Sequence, residues 1–180
     1  MKFAALVLVG AMVFVPAKIQ AEKVFEIHPS VKCLALNMYY EARGQGTAGL
    51  LAVSYVVLNR VKDKRFPNTI CEVIKQGPIR ESWKKDGKYY PIRNRCQFSW
   101  YCDGKSDTPK EKKLYKKLLT ISRAIVYNIK DSFIDITDGA LFYHAYYVTP
   151  AWSKVKYRTA RIGDHIFYRW DINSAPDHLL

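Results

Sequence analysis

Apolar residues between positions 31 and 42 recur at helical spacing: Val31, Leu34, Ala35, Met38, Tyr39 and Ala42 fall on one stripe. His28-Pro29-Ser30 is a turn into this helix, with Ser30 as its expected N-cap, and Gly44 and Gly46 end it. Thr47 is expected to cap a second helix running to about Val61. Its Leu50, Leu51, Ala52, Val53, Val56, Val57, Leu58 and Val61 leave almost no polar face, as in a centrally buried helix. Phe66-Pro67-Asn68 breaks the chain, and Thr69 caps a short third helix. From Gly77 to about Asp107 neither helical nor strand period persists, yet the stretch is rich in Tyr and Trp. It reads as a long ordered loop with short strands. Thr108-Pro109-Lys110-Glu111 has the form of a capping box opening a helix to about Lys130. Beyond Gly139 the period becomes strand-like over Ala140 to Val148, and Gly163-Asp164 is the turn of a hairpin joining Arg158–Ile162 to His165–Arg169. The residues from Asp171 on read as a polar tail. The fold class is α+β, mainly helical, with a small antiparallel sheet in the C-terminal part.

The beginning of the chain stands apart. Met1-Lys2 is followed by an apolar run from Phe3 to Ala17 and a small-residue exit near Ala21, the layout of a secretory signal peptide. Residues 1–21 are therefore expected to be cleaved, leaving 22–180 as one domain that works in the periplasm or cell wall without a stable membrane anchor. The four cysteines, Cys33, Cys71, Cys96 and Cys102, suit that compartment as two disulfides, with three pairings open. The formal charge of +13, from 29 Lys and Arg against 16 Asp and Glu, favours an anionic partner. Export argues against nucleic acid and for wall or envelope polymers. A monomer is expected.

Candidate chemistry centres on Glu41. It lies at the edge of the first helix's apolar stripe, where burial can raise a carboxyl's pKa and make it a proton donor. Arg43 points to nearly the opposite side, so the two do not pair within the helix. The aromatic and amide residues of the loop and late strands suit a glycan groove, through stacking on sugar faces and hydrogen bonds to hydroxyls. Strand alternation turns about half of such aromatics inward as packing. No cofactor is expected. His28, His144, His165 and His178 form no metal-binding pattern, and no C-x-x-C pair is present. His165, beside the hairpin turn, reads as a structural residue. A nucleophilic cysteine is disfavoured by the even cysteine count, and no G-x-S-x-G elbow occurs.

One ordered set of short motifs carries further. Cys33-Leu34-Ala35, Tyr40-Glu41-Ala42-Arg43-Gly44, Leu58-Asn59-Arg60-Val61 and Thr69-Ile70-Cys71 lie in the first half. Cys96-Gln97-Phe98-Ser99, Cys102-Asp103-Gly104, Tyr143-His144-Ala145, Pro150 with Trp152, and Ile162-Gly163-Asp164-His165 follow. This series resembles the cell wall hydrolases of the spore cortex-lytic enzyme family, in particular a cysteine-containing branch from Gram-negative bacteria and phages. The resemblance spans most of residues 33 to 169. It implies a lysozyme-like domain acting on peptidoglycan glycan strands, cutting between N-acetylmuramic acid and N-acetylglucosamine as a lytic transglycosylase. The catalytic acid/base maps onto Glu41. Gln97, Ser99, Tyr143, His144 and Trp152 are the further candidates for substrate binding. The family often has a second acid just after the glycine, where this chain has Gln45. A vacant second carboxylate favours a one-carboxylate mechanism, although Asp103, Asp107 and Asp138 leave open a muramidase-type hydrolysis. A zinc amidase cutting the stem peptide and a non-catalytic wall-binding module are the rivals from other classes.

Overall fold

The computed structural model describes residues 27–128 and 134–170. The expected signal segment, the end of the fourth helix at Lys130 and the tail from Asp171 lie outside the described residues.

The stripe read from the sequence is buried throughout. Helix α1 (Pro29–Ala42) hides Val31, Leu34, Ala35, Met38, Tyr39 and Ala42. Its N-cap is His28 rather than Ser30: the His28 Nδ1 accepts the Ser30 N–H at 3.2 Å, and Pro29 takes the first helical position, where its missing N–H costs nothing. Helix α2 (Gly46–Lys62) starts two residues earlier than a Thr47 cap allows, with Gln45 as its N-cap. Gly46 makes the sharp turn after Gln45 with φ +67°, a left-handed conformation that glycine adopts without strain. The apolar run of α2 is central, with Ala52, Val53, Val56 and Val57 fully covered. Helix α3 (Ile70–Lys75) has the Thr69 cap, whose hydroxyl accepts the Glu72 N–H at 3.3 Å. The Cys33–Cys71 disulfide ties α3 to α1.

Helix α4 (Lys112–Asn128) begins later than the Thr108 capping box indicates. The reason is tertiary. The Glu111 carboxylate accepts the Tyr39 hydroxyl at 2.9 Å, and that oxygen accepts the N–H groups of Lys110 and Glu111 at 3.2 and 3.3 Å. A tyrosine from α1 thus takes the role the local threonine would have had. Farther along, the buried Ser122 hydroxyl donates to the Val31 carbonyl at 2.8 Å, locking α4 against α1.

The long loop carries an exposed two-stranded hairpin, β1 (Ile79–Glu81) with β2 (Tyr89–Pro91). A second disulfide, Cys96–Cys102, then closes a 3-10 turn at Ser99–Cys102. The C-terminal sheet has strand order β3-β5-β4, from β3 (Phe142–Ala145), β4 (Tyr157–Ile162) and β5 (His165–Arg169), all antiparallel. It sits on α2 through Phe167 and Ala140 packed against Ala52 and Val56. The architecture is α+β: a helical core with a small sheet laid on one side. Among the described residues, no helix is long and apolar enough to cross a membrane.

Candidate active site

Glu41 is the penultimate residue of α1, partly buried where the helix meets the sheet. Tyr143 of β3 donates its hydroxyl to Glu41 Oε2 at 2.8 Å. Burial pushes the Glu41 carboxyl above the ordinary carboxylate range, and the Tyr143 hydrogen bond opposes this by favouring the charged form. Burial and the adjacent carboxylate raise the Tyr143 phenol well above its usual value, so it remains a donor. The pair can therefore hold a proton on Glu41 and steady the carboxylate once that proton has left.

Packing fixes Tyr143 from several sides. Phe167 lies 5.6 Å away, ring to ring, and Phe98, from the loop, at 6.5 Å. His165 meets the Tyr143 ring edge-on at 4.9 Å. Burial lowers the His165 pKa, with Asp164 pulling the other way and His144 adding to the decrease, which keeps this ring neutral. The structural role expected of His165 thus takes a specific form: it braces the tyrosine that holds Glu41.

Arg60 of α2 lies beneath the site. Its Nε donates to the Leu141 carbonyl at 2.8 Å, just before β3, and its guanidinium stacks within 5.1 to 5.7 Å of the Phe66, Phe98 and Phe142 rings. Burial lowers its pKa to about 10, so it stays charged at neutral pH. An arginine inside an otherwise apolar helix is the signal that could have marked it in the sequence. The Gln45 side chain makes a two-point contact with the β4–β5 turn: its Nε2 donates to Asp164 Oδ2, and the Asp164 N–H donates to its Oε1, both at 2.8 Å. Gly163 is required there twice over, because φ is +56° and an added Cβ would run into the Gln45 amide oxygen.

Of the candidates named from sequence, Tyr143 alone is brought into contact with Glu41. Gln97 and Ser99 are exposed and flank the buried Phe98 that packs on Tyr143. His144 and Trp152 are on the other face of the sheet. Neighbouring strand residues point opposite ways, so His144 turns away from Glu41, stacks on Tyr168 at 5.2 Å and shares a 2.9 Å hydrogen bond with its hydroxyl. Trp152 packs edge-on to His144 and tilted on Phe142, at 5.5 and 5.8 Å. Among possible second carboxylates, Asp138 pairs with Arg169 at 3.1 Å and Asp103 with Lys105 at 3.6 Å. All four cysteines are in disulfides, so none offers a thiolate. Among the described residues, no group of three or more His, Cys, Asp or Glu side chains is arranged for a metal ion.

The site is thus a part-buried carboxyl, raised in pKa and held by a buried phenol, at the end of a helix in a small α+β domain. Comparison with known proteins narrows this. The chain belongs to the Cell Wall Hydrolase family, whose profile matches residues 44–168, more than half of its length. The spore cortex-lytic enzyme of Bacillus subtilis (strain 168) is 37% identical over 60 residues, a stretch that is 33% of this chain and 19% of that protein. The catalytic domain of the Bacillus cereus SleB protein is similar in structure, with TM-score 0.51 and 28% identity over 78% of this chain and 89% of that one. So is the catalytic domain of the germination-specific lytic transglycosylase SleB from Bacillus anthracis, with TM-score 0.52 and 29% identity over 78% and 93%.

Proposed function

We propose that this protein is an exported lytic transglycosylase that cuts peptidoglycan between N-acetylmuramic acid and N-acetylglucosamine, with Glu41 as its acid/base. Residues 1–21 serve as the cleaved leader and 22–180 as the catalytic chain. The observation that carries the reading is the Glu41–Tyr143 pair: a carboxyl with a raised pKa, bonded on one oxygen by a phenol that keeps its own proton. Likeness to the Bacillus anthracis lytic transglycosylase supports the same reaction class.

The steps balance on one carboxyl. Glu41 gives its proton to the glycosidic oxygen as the bond from that oxygen to the muramic C1 breaks, through an oxocarbenium-like state. The departing sugar leaves with a free 4-hydroxyl. The Glu41 carboxylate, still accepting from Tyr143, takes the proton of the muramic residue's own 6-hydroxyl. That oxygen closes onto C1, giving a 1,6-anhydro end and restoring the protonated acid. No water is consumed, so no second carboxylate is needed to activate one. Gln97 and Ser99, exposed beside Phe98, are groove contacts in this reading, and His144 and Trp152 pack on the far face of the sheet.

Product analysis on purified sacculi tests this. Wild-type enzyme is expected to release 1,6-anhydromuropeptides by mass spectrometry, and Glu41→Gln to lose activity by about a hundredfold or more, the usual contribution of a positioned general acid. Reducing muramic ends without anhydro ends would point to hydrolysis, and undiminished turnover by Glu41→Gln would remove the residue from the mechanism.

A further inference from the structure

A groove of about 800 Å³ opens on the side of α1 away from the sheet. It begins at Tyr40, the residue next to Glu41 and about 100° around the helix from it. Tyr40 stacks on Trp100 at 4.9 Å with the rings 17° from parallel, which forms one wall. Trp100 is two residues beyond Phe98, the ring that packs on Tyr143. One short segment of the chain thus borders both the Glu41–Tyr143 pair and this groove.

The groove's charge is mixed. Arg43 and Lys105 are there, each in a long, exposed ion pair, with Glu111 at 3.8 Å and Asp103 at 3.6 Å. Lys110 and Lys112 also line it, and they form no ion pair with the described residues. Asp107 lines the same groove and forms no ion pair within 4 Å among the described residues, Lys75 being the cation that acts on it. Burial, with the Asp103 carboxylate close by, holds its carboxyl above the usual range, against the pull of Lys75. A ligand with carboxylates for the lysines and an amine for Asp107 would answer both needs, and a plain sugar offers neither group.

We propose that this groove binds the stem peptide of the muramic residue whose bond Glu41 cuts: a short peptide bearing carboxylates and a free amine. The proposal rests on the glycosidase reading of Glu41 for its geometry. A peptide branching from the sugar at the catalytic acid would run along the Tyr40–Trp100 wall, with its carboxylates at Lys110 and Lys112 and its amine at Asp107. The enzyme would then select strands that still carry stems.

Calorimetric titration of the full chain with a synthetic stem tetrapeptide containing a diamino acid tests the site without any glycosidic bond. Binding is expected at millimolar peptide. Amidating the peptide's carboxylates, or the exposed-site double variant Lys110→Ala/Lys112→Ala, should weaken it about threefold to tenfold, the range for two partly solvated charge contacts. Asp107→Asn should remove the preference for free-amine over N-acetylated peptide. No binding by wild type, equal affinity for the amidated peptide, or unchanged affinity in the lysine variant would each overturn the proposal. Cleavage of sacculi by Glu41→Gln is read in a separate assay, so failure of the glycosidase reading appears there and failure of the groove appears here.

Discussion

Glu41 is held between two opposed influences, burial that favours its neutral form and the Tyr143 hydroxyl that favours its anion. In the proposed mechanism Glu41 acts while protonated, so the rate is expected to fall as pH rises through its pKa. Tyr143→Phe removes the influence that lowers that pKa. The alkaline limb of the activity profile is therefore expected to move to higher pH, measured as rate against pH on one sacculus preparation. A limb that stays or moves down would mean that Tyr143 does not act through Glu41. The histidine beside it works by shape: being neutral and edge-on, His165 adds no charge that would pull the Glu41 proton away.

Among the elements, α1 was the most legible. Its stripe, its glycine stop and the place of Glu41 on it follow from helical geometry, which is local information. The late hairpin was legible for the same reason, through its Gly-Asp turn. Helix starts were less so. His28 displaced Ser30 locally, since Pro29 can take the first helical position and the His28 ring accepts the Ser30 N–H, whereas Thr108 lost its role to the Tyr39 hydroxyl, a partner distant in sequence. Strand chemistry without register was ambiguous too. Tyr143 and His144 are equally suited to a sugar, but only one can face the helices, and pairing with β5 decides which. The two disulfides act at this scale as well. Cys33–Cys71 closes 38 residues and Cys96–Cys102 closes 6. Loop-closure entropy makes the first worth about 4 kcal/mol and the second about 2 kcal/mol. Urea unfolding of the Cys33→Ser/Cys71→Ser and Cys96→Ser/Cys102→Ser variants is expected to show that order.

At the scale of the whole molecule the surplus of 13 positive charges acts as a long-range attraction to acidic polymers. Its reach shrinks from about 30 Å in 0.01 M salt to about 8 Å at 0.15 M. Pelleting with purified sacculi should accordingly weaken about tenfold over that range, whereas the pH profile of the bound enzyme should keep its shape. The helices and the sheet that together make the site meet at Gln45 and Asp164, residues 119 apart in sequence, which no local pattern could pair. An amide there offers an N–H to the carboxylate and an oxygen to the backbone N–H, and it carries no proton to lose. Replacing it by a carboxylate, Gln45→Glu, would set acid against acid across the same 2.8 Å, a contact that survives only while the two share a proton. Such a variant would be a pH latch. Hydrogen exchange of the β4–β5 turn should then quicken as pH rises beyond what intrinsic chemistry accounts for, a rise not expected with the natural amide, which does not titrate.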